Sequence, residues 1–75
     1  MKGRQPIHVR VAAALRKRRE ALGISQEAFA DQIEMHRAYY GSIERGKKDV
    51  RLSTLERVCK GLDAHMWEIF REIEN

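Results

Sequence analysis

Seventy-five residues with a single proline, 43% hydrophobic and 35% charged, are enough for one compact helical domain over residues 1–75 and leave little core to spare. A formal charge of +4 and a pI near 9.6 favour a polyanionic partner, and the charge is lopsided: residues 1–24 hold seven Lys or Arg against one acid, residues 52–75 three against five. The lone Cys59 excludes an intramolecular disulfide, and with no long apolar run and no signal-peptide pattern the expected compartment is the reducing cytoplasm, without membrane association.

In chain order, Met1 to Gln5 reads as a mobile basic tail without periodicity. Pro6 suits the first turn of a helix, where its missing N–H has no partner to lose. That helix is expected to reach about Leu22, with Ala12, Leu15, Arg19 and Leu22 on its inward face. A guanidinium in that stripe needs a buried partner, or else it snorkels to solvent. Arg16, Lys17, Arg18 and Arg19 do not form one basic surface, because consecutive helix positions lie about 100° apart and four in a row ring the helix.

The stretch from Ser25 to Gly46, SQEAFADQIEMHRAYYGSIERG, reads as two short helices joined by a tight turn. Ser25 is a good N-cap for the first, Glu27 stands near its positive end, and Ile24 is placed to staple onto Phe29. Phe29, Ala30 and Ile33 form its buried face. The second is expected from about Arg37 to Arg45, with Tyr40 and Ile43 inward and Arg37, Ala38, Gly41, Ser42 and Arg45 on the opposite side. Gly41 inside a helix costs about 1 kcal/mol relative to alanine, which suggests a close approach at that point. His36 is a weaker N-cap than Ser or Thr. Next, GKKDVR, Gly46 to Arg51, is a loop by its glycine and its charge. Ser53 and Glu56 have the spacing of a capping box for a fourth helix with Leu55, Val58, Cys59 and Leu62 buried. Cys59 reads as a small core residue rather than a reactive thiol. A fifth helix, about Met66 to Glu74, carries Met66, Ile69, Phe70 and Ile73 at helical spacing with Trp67 beside them. A domain this small cannot cover all five, so an exposed apolar patch and a homodimer are expected.

Gly23, Ser25, Gln26, Ala30 and the closing Ile43, Glu44, Arg45, Gly46 resemble the Cro and phage-repressor (XRE-type) helix-turn-helix family over most of the chain. Within it, HRAYYGSIERG in so short a protein most resembles controller proteins of restriction-modification operons or small phage repressors. The resemblance implies an all-α, five-helix, repressor-like fold and a dimeric, sequence-specific regulator of transcription on double-stranded DNA. It implies an ion pair between Arg19 and Glu44, base-edge positions at His36, Arg37, Ala38 and Ser42, and a phosphate contact at Gln26. The loop after the second helix would follow the sugar-phosphate backbone, which makes Arg45, Lys47, Lys48 and Arg51 phosphate candidates. Tyr39 reads either as half-buried or as a further phosphate contact. Arg37 is the best-suited base reader, since arginine can bond guanine O6 and N7 together. Pairing of copies through Met66, Trp67, Phe70 and Ile73 follows the family's habit. The family start of the fourth helix is Leu52, in competition with the Ser53 capping box. One departure stands at the turn: Glu34 replaces the usual glycine, at about 1 to 2 kcal/mol if the backbone there is left-handed.

Catalysis finds no support. His8, His36 and His65 lack the close spacing, and the chain lacks the second cysteine, of a zinc site; there is no glycine-rich phosphate loop and no Ser, His and acid grouping. No metal, cofactor or small-molecule ligand is expected. The competing class is a protein-binding module of the same fold, for instance the antitoxin partner of a toxin.

Overall fold

The computed structural model describes residues 5–74, so most of the expected Met1 to Gln5 tail lies outside the described residues. Five helices follow one another: α1 (Ile7–Ala21), α2 (Gln26–Gln32), α3 (Arg37–Glu44), α4 (Leu52–Gly61) and α5 (Met66–Glu74). Among the described residues there is no strand.

Local chemistry explains the helix limits. Pro6 precedes α1, and its carbonyl accepts from the N–H groups of Val9 and Arg10, which closes the first turn. The Ser25 hydroxyl accepts from the Ala28 N–H at 3.0 Å and caps α2. Four helices end in a residue with positive φ: Gly23 after α1, Glu34 after α2, Gly46 after α3 and Asp63 after α4. In α2, α3 and α4 the next residue also donates back into the last turn, Met35 to Ala30, Lys47 to Ser42 and Ala64 to Cys59, each at 2.8–2.9 Å. These paired bonds occupy carbonyls that a helix end otherwise leaves without partners.

Each helix sends at least one fully buried side chain to a common core: Leu15, Phe29, Tyr40, the Val58 and Cys59 pair, and Ile69. The Phe29 and Tyr40 rings lie 5.2 Å apart, tilted by 55°, and join α2 to α3. Gly61 lets α4 approach α2, since a Cβ there would stand 2.9 Å from Phe29 Cζ and closer still to Ile33. α5 packs along α1, where Arg10 donates to the Ile73 carbonyl at 3.3 Å and Arg18 meets Glu72 at 3.4 Å.

Three expectations are corrected. Leu22 is 51% exposed, because the helix stops at Ala21 and Leu22, as its C-cap, is turned away; Val11 and Ala14 complete the inward face instead. Ile33, also a C-cap residue, is only half-buried. The Ser53 and Glu56 capping box does not form: Arg51 is the N-cap and its carbonyl already accepts from Leu55 at 3.0 Å, so α4 begins at Leu52. Among the described residues no helix is long and apolar enough to cross a membrane.

Candidate nucleic-acid interface

The outward face of α3 rests on a buried polar cluster. Arg19, on α1, donates from Nε to Glu44 Oε2 at 2.7 Å and from Nη2 to Glu44 Oε1 at 3.0 Å, while Nη1 reaches the Ile24 carbonyl at 2.6 Å. The Tyr40 hydroxyl also donates to Glu44 Oε2, and Gln26 Nε2 donates to Glu44 Oε1 at 3.2 Å. Side chains on α1, α2 and α3 thus meet at one carboxylate whose side chain is 1% exposed. Burial pushes the Glu44 carboxyl up, but bonds from Arg19, Tyr40 and Gln26 outweigh it and hold it below the ordinary range. Burial and the bond to Glu44 push the Tyr40 phenol up, so it stays a neutral donor.

With Tyr40, Ile43 and Glu44 inward, α3 leaves His36, Arg37, Ala38 and Tyr39 exposed and Ser42 half-buried. The Ser42 hydroxyl donates to the Tyr39 carbonyl at 2.7 Å, so its proton is used within the helix. Tyr39 is 38% exposed. Arg45, Lys47, Lys48 and Arg51 are exposed at the end of α3 and along the loop to α4. His36 caps α3 without a side-chain bond.

Gly41 is not part of the open face. It is buried: a Cβ there would meet Arg45 Nη1 at 3.0 Å and Gln26 Oε1 at 3.1 Å, so the close approach comes from two side chains of the same molecule. Gln26 and Arg45 are thereby brought together over α3, with the Gln26 amide nitrogen turned inward to Glu44.

Glu34 does adopt the left-handed conformation, with φ of 55°. Arg57, on α4, donates from Nε and Nη2 to the Ile33 carbonyl at 3.1 and 2.7 Å, and from Nη2 to the Glu34 carbonyl, bracing the turn from outside the motif. Sequence reasoning missed Arg57, which is separated from the turn by more than twenty residues. It also missed Asp31, whose carboxylate accepts from Arg37 Nε at 3.1 Å and Nη2 at 2.7 Å across the turn. The two residues lie on different helices either side of the turn, so no periodic pattern within one element signals the pair.

Of the α5 residues expected to pair copies, Met66, Phe70 and Ile73 are half-buried against the molecule's own core, and Trp67 is 57% exposed. Phe70 also lines an apolar groove with Ile7, Val11, Leu52 and Leu55, of which Leu52 is 70% exposed. Among the described residues no three His, Cys, Asp or Glu side chains are grouped to hold a metal ion.

A helix-turn-helix family model matches residues 15–66, and the chain belongs to that family, in its Cro and phage-repressor branch. Its relatives include control proteins and a plasmid copy control protein, and the solved structures it resembles include restriction-modification controllers. Control protein C.MunI from Mycoplasma sp is 45% identical over 69 residues, 91% of this chain and 93% of that one. The fold is similar to the restriction-modification controller C.Esp1396I, solved as a tetramer with its natural 35-base-pair operator, with a TM-score of 0.83 and 26% identity over 93% of this chain and 92% of that one. It is also similar to the clp gene regulator ClgR from C. glutamicum, with a TM-score of 0.89 and 26% identity over 99% and 95%.

Proposed function

We propose that this chain is a sequence-specific, double-stranded DNA-binding regulator of transcription that acts as a homodimer on a near-palindromic operator in the cytoplasm, in the manner of the restriction-modification controllers it resembles. The observation that carries the reading is the division of α3. Its inner side is tied to α1 and α2 through Glu44, and its outer side presents exposed Arg37 with no apolar side chain larger than Ala38 and the rim of Tyr39. A helix fixed in this way fits the major groove, where His36, Arg37, Ala38 and Ser42 meet base edges. Arg45, Lys47, Lys48 and Arg51 neutralise phosphates on either side, and the uncharged Tyr39 hydroxyl and the second amide hydrogen of Gln26 donate to phosphate oxygens, adding affinity and register without reading sequence. The family is one of DNA-binding regulators, and no catalytic step is assigned to the chain.

The test is a binding titration on the duplex upstream of the protein's own coding sequence, against random duplex, at several salt concentrations. Tight, salt-sensitive binding with a preference for the upstream duplex is expected. Equal affinity for both would overturn the regulator reading and favour a protein-binding module.

A further inference from the structure

We infer that Asp31 is a specificity-determining positioning residue that holds Arg37 in the orientation from which it reads one guanine; this rests on the DNA-binding reading above. A carboxylate is out of place on a surface that approaches phosphates, because it weakens binding to every duplex. Two acids of α2, Glu27 and Asp31, nevertheless act on the Arg37 guanidinium, and Asp31 engages it directly.

The atoms used are informative. Asp31 takes one edge of the guanidinium, the Nε–H and one Nη2–H, in a two-point pair at 3.1 and 2.7 Å. Among the described residues no partner takes the Nη1 hydrogens or the second Nη2 hydrogen, and one hydrogen from each of these nitrogens forms the adjacent edge, the one that matches the two acceptors N7 and O6 of guanine. The pair therefore leaves the reading edge open. A free arginine has several rotatable bonds to freeze on binding, whereas one already held at two points loses less and tolerates misplacement less. An adenine at the same place offers N7 but presents an N6 donor where O6 would be, and a clamped arginine cannot swing to a phosphate to recover the missing bond. Asp31 thus lowers affinity in general while sharpening discrimination at one base pair.

The experiment uses the full-length protein and a duplex selected by the wild type from random-sequence DNA, together with each of its single base-pair substitutions. Arg37→Ala identifies the base pair whose substitution no longer matters. At that base pair Asp31→Ala is expected to reduce discrimination about tenfold, to strengthen binding to random duplex a few-fold, and to leave discrimination elsewhere unchanged. Asp31→Asn, which keeps one acceptor oxygen but no charge, falls between. Adding Asp31→Ala to Arg37→Ala costs no further discrimination. Circular dichroism melts check that the variants are folded. Four outcomes would overturn the inference: a uniform change on all duplexes, which makes Asp31 a bulk charge; a uniform loss with a lowered melt, which makes it structural; a larger gain on the selected duplex than on random DNA, which makes it a sequestering group; and unchanged discrimination in Asp31→Ala while Arg37→Ala abolishes it. If Arg37→Ala leaves every preference intact, or the wild type selects nothing, it is the placement of α3 on DNA that fails.

Discussion

A guanidinium and a carboxylate taken out of water together are stable only when both are fully bonded, and Glu44 meets that condition with bonds from three side chains. Removing one partner leaves the other buried and unpaired. Arg19→Ala and Glu44→Ala are each expected to destabilise the fold by about 3 to 5 kcal/mol, read by urea denaturation; variants that unfold like the wild type would show that the pair contributes nothing. The pH dependence has a definite sign. With the Glu44 carboxyl held below its ordinary range, the unfolded chain takes up a proton first on acidification. The contribution of Glu44 is therefore complete at neutral pH, and is lost as pH falls from the ordinary glutamate range through the folded value. Glu44→Gln should remove that part of the acid sensitivity, measured as melting temperature against pH.

At the scale of elements, the turn between α2 and α3 fixes the angle at which α3 leaves the body, and it is built with a left-handed glutamate. That conformation costs about 1 to 2 kcal/mol in a residue with a Cβ. Glycine removes the strain but loses roughly 0.5 to 1 kcal/mol to its greater freedom when unfolded. Glu34→Gly is thus expected to stabilise by up to about 1.5 kcal/mol, a rise of several degrees in Tm for a domain of this size. A fall in Tm would mean that the Glu34 side chain contributes more than its backbone strain costs. The loop from α3 to α4 makes a different prediction. Lys47→Ala or Lys48→Ala should weaken binding to all duplexes alike and make log affinity against log salt shallower by about one unit for each phosphate no longer neutralised. A titration series across salt checks this, and an unchanged slope would take the loop out of the interface.

For the molecule as a whole, one recognition helix touches only a few base pairs, too few to single out a site among a genome's competitors. Two helices related by a two-fold axis supply the rest, with inverted half-sites about 10 base pairs apart so that both enter the major groove on one side of the duplex. The exposed Trp67 and the groove beside Phe70 are where α5 still offers apolar surface for pairing. Trp67→Arg or Phe70→Arg is expected to give a helical monomer with much weaker operator binding, measured by sedimentation, circular dichroism and titration. Because Phe70 also packs on the core, Trp67→Arg is the cleaner variant. Dimers that bind operator normally in both variants would move the interface away from α5.

Many features governed by neighbours within a turn were legible in the chain itself, although the Ser53 and Glu56 spacing misled about the start of α4. Ser25 capping α2, the apolar spacing that turns Phe29, Tyr40, Ile43 and Val58 inward, and the bounds of α5 all follow from side chains acting on backbone three or four residues away. Spacing alone left Arg19 open between a buried partner and solvent; the resemblance supplied Glu44, and the packing of α1 on α3 shows the distance between them. Other features had no local signal. Gly41 lies under Gln26 and Arg45, Arg57 braces a turn more than twenty residues away, and Asp31 meets Arg37 around a corner. Each depends on the angle at which two helices cross. Tertiary packing decides that angle, because it is a compromise among all the buried side chains at once and no short stretch of sequence carries it.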